Sequence, residues 1–181
     1  MTIIFRALQV AARKHVHQRR KGGKDIPYIN HPIDVATLLA TVAEVTDPEV
    51  LAAALLHDTV EDTDTSIEEI EEQFGAAIAS LVAEVTDSAS LSSAQQKVRQ
   101  EAEAPFKSHR AKLIRLADKT CNVRDICHHP PPSWSRERQV TYFEWAIRVV
   151  DALGDVHEGL RAAFDDAIAE ARVKTGSGLS T

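Results

Sequence analysis

Val50-Leu51-Ala52-Ala53-Ala54-Leu55-Leu56-His57-Asp58 is an apolar run that ends on an imidazole and a carboxylate. Val50, Leu51, Ala54 and Leu55 share one helical face, and Asp47-Pro48 restarts the chain just before them, so a helix is predicted to end near His57-Asp58. The same three-and-four spacing recurs almost everywhere, and no stretch alternates cleanly enough to read as a strand. The predicted fold class is therefore all-α, a bundle of roughly eight to ten helices.

Working outward, Pro32 stands where a first-turn proline belongs, and Ile33, Ala36, Leu39 and Ala43 continue one face to about Val45. Glu61-Asp62-Thr63-Asp64-Thr65 reads as a polar link. Ser66 with Glu69 forms a capping box for a short helix carrying Ile67, Ile70 and Phe74, which stops at Gly75. Ile78, Leu81, Val82 and Val85 mark another helix, and 88–108 reads as a solvated helix of indefinite limits. The prolines within His128 to Ser133 require a loop. Two closing helices, Arg136 to Leu153 and His157 to Val173, lead to a Gly-Ser tail. With no repeat and no linker, one domain over 1–175 and a flexible tail over 176–181 are expected.

The chain has 181 residues, 44% hydrophobic and 27% charged, the composition of a folded globule. A net charge of −6 argues against general attraction to nucleic acid, and no apolar run is long enough to cross a bilayer. Cys121 and Cys127 make no disulfide framework, which favours a reducing, cytoplasmic location. Met1 to Lys24 holds basic residues and no acid, as a mitochondrial presequence does. The Ile4, Leu8, Ala11 and Ala12 stripe, continuous with the residues that follow, argues that it is retained.

His57-Asp58 offers ligands suited to a borderline divalent cation, and the lack of thiolates argues against structural zinc. A lone His-Asp pair arises often by chance. Here Glu61 and Asp62 follow at once, and the acids of 58–64 repel one another unless a cation or basic ligand is present. His31, in Tyr28-Ile29-Asn30-His31-Pro32, reads either as a capping or packed histidine or as a ligand. Asp118 interrupts Leu113-Ile114-Arg115-Leu116-Ala117, and a carboxylate placed against a core costs several kcal/mol unless paired or metal-bound. A buried salt bridge is the alternative reading there. Asn122 shares its helical face. Arg19, Arg20, Lys21 and Lys24 surround Gly22-Gly23, either as a solvated basic loop or as a phosphate-binding one.

Arg20-Lys21, Tyr28-Ile29-Asn30-His31-Pro32, His57-Asp58-Thr59-Val60-Glu61-Asp62-Thr63, Val85-Thr86-Asp87 and Leu116-Ala117-Asp118-Lys119-Thr120-Cys121-Asn122 occur in this order. Together they resemble the HD-type hydrolase domain of the RelA/SpoT superfamily. The chain length and Tyr142-Phe143-Glu144-Trp145-Ala146 resemble its small alarmone hydrolases, the metazoan SpoT-homologue or Mesh1 type, over about residues 3 to 172.

The resemblance implies one Mn²⁺ ion on His31, His57, Asp58 and Asp118, with Glu61 and Asp62 activating the attacking water. It assigns Arg20 and Lys21 to the nucleotide, Asn122 to the ribose, and Arg138 and Tyr142 to the phosphate end. The implied activity is hydrolysis of the 3′-pyrophosphate of (p)ppGpp, a small guanosine nucleotide, to GDP or GTP and pyrophosphate. Rival readings are an NADPH 2′-phosphatase or another nucleotide phosphohydrolase, and a catalytically silent nucleotide-sensing module. Homo-oligomerisation is left open. The sequence departs from the family pattern at Thr120-Cys121, where bulkier residues are usual, and at Val98, where a basic residue is usual.

Overall fold

The computed structural model describes residues 2–22, 25–88 and 90–176. Among them it has ten α-helices, one 3-10 turn and no strand beyond an isolated bridge between Arg19 and Pro27. The fold is all-α. In chain order the helices are α1 (Thr2–Lys14), α2 (Asn30–Thr41), α3 (Pro48–Leu56), α4 (Thr59–Asp62) and α5 (Ile67–Phe74). They continue as α6 (Ala76–Val85), α7 (Ser93–Glu103), α8 (His109–His128), α9 (Arg136–Leu153) and α10 (Glu158–Thr175).

α8 is the axis of the molecule, in contact with α2, α3, α6, α9 and α10. It is buried nearly all round, charged residues included: Arg115, Asp118 and Lys119 are each less than a tenth exposed. A helix buried on every side has no polar face to spare, so polar groups at its centre must find partners inside the protein. α1 packs on α3, with Ala7 and Ala11 wholly buried, and belongs to the same core.

Side chains end the helices where the sequence supplies them. Asp47 accepts the Glu49 N–H at 2.9 Å ahead of Pro48, and Ser66 accepts that of Glu69 at 3.1 Å. Gly75, at φ 87°, separates α5 from α6 in a conformation that disfavours side chains.

Two expectations need correction and a third gains its limits. The link after Asp58 is helical for one turn, because Thr59 is fully buried and its hydroxyl donates to the Leu56 carbonyl at 2.6 Å. The buried face of α2 is not headed by Ile33, which is exposed, but runs through His31, Val35, Leu38 and Leu39 at helical spacing. The solvated helix within 88–108 is α7, which has no buried residue and is fixed at its start by a reciprocal Ser92–Gln95 capping box. Gly23 and Lys24, and 177–181 of the predicted tail, lie outside the described residues. No helix among the described residues is long and apolar enough to cross a membrane.

Candidate active site

Two helix junctions and one mid-helix position bring four donors together. His31 lies in the first turn of α2, entered through a tight turn in which the Tyr28 carbonyl accepts the His31 N–H at 3.0 Å. His57 ends α3 and Asp58 precedes α4, while Asp118 projects from the middle of α8. His31 Nε2 is 3.1 Å from Asp118 Oδ1 and 3.7 Å from Asp58 Oδ2; His57 Nε2 is 3.1 Å from Asp58 Oδ2 and 3.7 Å from Asp118 Oδ1. The donors alternate nitrogen and oxygen around a ring. Ligands about 2.1 Å from a metal ion and at right angles to one another stand about 3 Å apart, close to these spacings.

The protonation chemistry also calls for a cation. His57 Nδ1 faces the Ala54 carbonyl at 2.7 Å, and a carbonyl only accepts, so Nδ1 carries the proton. Nε2 faces two carboxylates without a hydrogen bond of sound geometry, so the site takes up either a second proton or a cation there. Burial opposes charge on this ring, yet Asp58 and Asp118 raise its pKa to about 10. Burial lowers that of His31. Burial would raise both carboxyls, but His57 beside Asp58, and Lys119 beside Asp118, hold them below the ordinary range. Each carboxylate is also oriented from behind: Asp58 Oδ2 accepts the Tyr28 hydroxyl at 2.7 Å, and Asp118 Oδ1 accepts the Asn122 amide at 2.6 Å. Lys119 Nζ pairs with the other Asp118 oxygen at 3.0 Å. Asp118 is thus both a buried ion pair and a donor to the ring.

The ring borders a cleft of about 310 Å³. Glu61 and Asp62 line its acidic side, and Glu61 Oε2 accepts the Asp87 N–H at 3.3 Å. Burial, and then the charge of Asp87, raise the Glu61 carboxyl above its ordinary pKa. Across the cleft Lys97 Nζ sits 5.5 Å from the Tyr142 ring centre and 5.0 Å from that of Trp145, and Lys119 Nζ is 4.8 Å from Trp145. Burial, with Arg138 and Lys119 nearby, lowers the Lys97 pKa, and no carboxylate pairs with it among the described residues. Arg20 bonds Asp125 and Asn122, at 2.6 and 2.8 Å, and lies over the Tyr28 ring.

Arg20, Lys21, Asn122 and Tyr142 therefore line the same cleft as the donors and acids. Arg138 does not. It is exposed and stacks on Trp134, its Cζ 4.6 Å from the ring centre, at the rim. Arg19 curls onto the Val16 and Gln18 carbonyls, away from the cleft. Sequence reasoning did not single out Lys97, Lys119, Arg115 or Trp145 for the site. Lys119 carried a usable signal, since it extends the charge anomaly of Asp118 on a helix that is otherwise apolar around it.

A family model described as HD domain matches residues 7–148. The zebrafish protein named guanosine-3′,5′-bis(diphosphate) 3′-pyrophosphohydrolase MESH1 is 46% identical over 96% of this chain and 94% of its own length. The human protein of that name is 49% identical over 89% of this chain and 90% of its own. This chain belongs to the HD-domain family, in its Mesh1 group. A solved structure described as a metazoan ortholog of SpoT that hydrolyzes ppGpp superposes with a TM-score of 0.91. It is 45% identical and covers 94% of this chain and 96% of that one.

The positions read from the sequence as departures from the family pattern fall in unequal places. Val98 is 70% exposed on α7, turned away from the cleft that its neighbour Lys97 lines. Thr120 and Cys121 are buried on α8, and the Thr120 hydroxyl is spent on the Leu116 carbonyl at 2.8 Å.

Proposed function

We propose that this chain hydrolyses the 3′-pyrophosphate of guanosine 3′,5′-bis(diphosphate) and of the corresponding pentaphosphate, releasing pyrophosphate and GDP or GTP, with one Mn²⁺ ion. One observation carries the reading: a ring of two imidazoles and two carboxylates at a cleft, flanked by Glu61 and Asp62 on one side and on the other by Lys97, which has no counter-anion among the described residues. The name and activity of the relatives support the choice of nucleotide.

His31, His57, Asp58 and Asp118 would hold the ion, and mixed nitrogen and oxygen donors without thiolate suit Mn²⁺. A divalent cation supplies Lewis acidity, making water acidic near neutrality and drawing charge from a phosphoryl oxygen. Glu61, aided by Asp62, orients the attacking water and takes its proton. The water oxygen bonds to the phosphorus on the 3′ oxygen. The bond from that phosphorus to the 3′ oxygen breaks, and the 3′ oxygen leaves with a proton from solvent water, while Glu61 returns the proton it took to solvent. Lys97 and Lys119 face the negative charge of the departing pyrophosphate. Arg20, Lys21 and Asn122 serve the nucleoside, and Tyr142 with the rim residue Arg138 serve the phosphate end. The domain over 1–175 carries this activity. Its two cysteines, both buried and free, support a reducing compartment such as the cytoplasm.

Glu61→Gln keeps the shape of the side chain and removes the proton acceptor. It should lower pyrophosphate release by at least about 100-fold, the usual contribution of a positioned base. Mn²⁺ binding, followed by calorimetry, should persist. Turnover at the wild-type rate would refute the assignment.

A further inference from the structure

Val85-Thr86-Asp87 is one of the motifs behind the family resemblance, yet no role in metal or nucleotide binding falls to it. The structure shows what surrounds it. Asp87 follows the end of α6, with its carboxylate mostly buried. Oδ1 accepts from Arg115 at 3.0 Å, and Oδ2 accepts from the Gln100 amide of α7. Arg115 is itself buried, and its second terminal nitrogen lies 4.0 Å from Asp118 Oδ2. The backbone N–H of Asp87 reaches Glu61 Oε2 at 3.3 Å.

A buried ion pair seldom repays its desolvation, so its retention needs a local reason. Here the pair ties together the four segments that border the acidic side of the cleft: α4 through Glu61, the end of α6, α7 through Gln100 and α8 through Arg115. Glu61 has no other hydrogen-bond donor among the described residues. Whatever fixes the Asp87 backbone therefore fixes the Glu61 carboxylate.

We propose that Asp87, clamped by Arg115 and Gln100, is the positioning residue for Glu61, and that Arg115 locks this acid in register with the Asp118 end of the donor ring. The inference rests on the reading of Glu61 as the proton acceptor. Asp87 lines the cleft beside Glu61 but makes no direct contact with the donor ring or the lysine wall among the described residues, so its effect should fall on the rate of the chemical step more than on binding.

The test compares wild-type protein, Glu61→Gln, Asp87→Ala and Asp87→Asn with ppGpp and Mn²⁺, measuring kcat, KM, melting temperature and Mn²⁺ affinity. Asp87→Ala frees the segment and should lower kcat by about 30- to 100-fold, the scale of an ångström-sized misplacement of a catalytic group. KM and Mn²⁺ affinity should stay within about 2-fold, since the contacts to substrate and ion are untouched. Asp87→Asn should restore kcat to within about 5-fold of wild type. Its Oδ1 still accepts from Arg115, and a flipped Gln100, whose Oε1 is buried without a partner, can accept its amide. If Asp87→Ala does not fold, Asp87→Ser, too short to span both clamps, should show the same selective loss. The proposal is overturned if the truncated variant keeps kcat within about 3-fold, or if kcat, KM and Mn²⁺ affinity worsen together, or if Asp87→Asn is as impaired as Asp87→Ala. Wild-type turnover by Glu61→Gln would instead overturn the reading beneath it.

Discussion

Glu61 shows how function and stability oppose each other at one residue. Burial, and then Asp87, raise its carboxyl above the ordinary value, so the folded protein binds this proton more tightly than the unfolded chain does. Its contribution to stability is complete below the unfolded pKa and is lost as pH rises through the folded one. Glu61→Gln cannot ionise and escapes that loss. Metal-free Glu61→Gln should melt above metal-free wild type at about pH 7.5, with the gap closing by about pH 4. A lower melting temperature for the variant at the higher pH would show that Glu61 is not held at a desolvation cost. Asp118 was legible as an anomaly because apolar neighbours fix its burial. His31 was not, since nothing in Asn30-His31-Pro32 shows that the buried stripe of α2 begins there.

At the scale of elements, helices with a clear start signal or a dense set of apolar residues were legible, α3, α5, α6, α9 and α10 among them. α4 was missed because Thr59 is its only buried residue, and that burial depends on the surrounding bundle. α7 was indistinct because it buries none of its own residues, though Ser92 and Gln95 spelled its capping box. The loop bearing Arg20 and Lys21 makes its own demand. A Cβ on Gly22 would stand 1.5 Å from the His129 carbonyl oxygen, so the loop rests with its backbone on the end of α8. Gly22→Ala must push it off. Steady-state kinetics should show KM for ppGpp raised by about 10-fold, one good charged contact or so, with kcat changed less than about 3-fold. An unchanged KM would mean that the loop's position is immaterial to binding.

Over the whole molecule, the site is made by convergence. α2, α3, α4 and α8 bring the donors and acids, α7 and α9 bring Lys97, Tyr142 and Trp145, and the loop before α2 brings Arg20 and Lys21. The ordered motifs revealed the first group, because each is a short string with its own chemistry. The lysine wall was hidden because its charges sit on α7 and α8 and its aromatic rings on α9, joined only by the packing of α9 on those two helices. That wall, facing the donor ring across one cleft, suits a pyrophosphate as the group that water attacks and that is released from the 3′ oxygen. The most direct test is product identity: incubation with Mn²⁺ and ppGpp, followed by phosphorus NMR and nucleotide chromatography. The account predicts pyrophosphate and GDP in equal amounts, abolished by EDTA and restored by Mn²⁺. Orthophosphate as the primary product, or pyrophosphate release that survives EDTA, would contradict it.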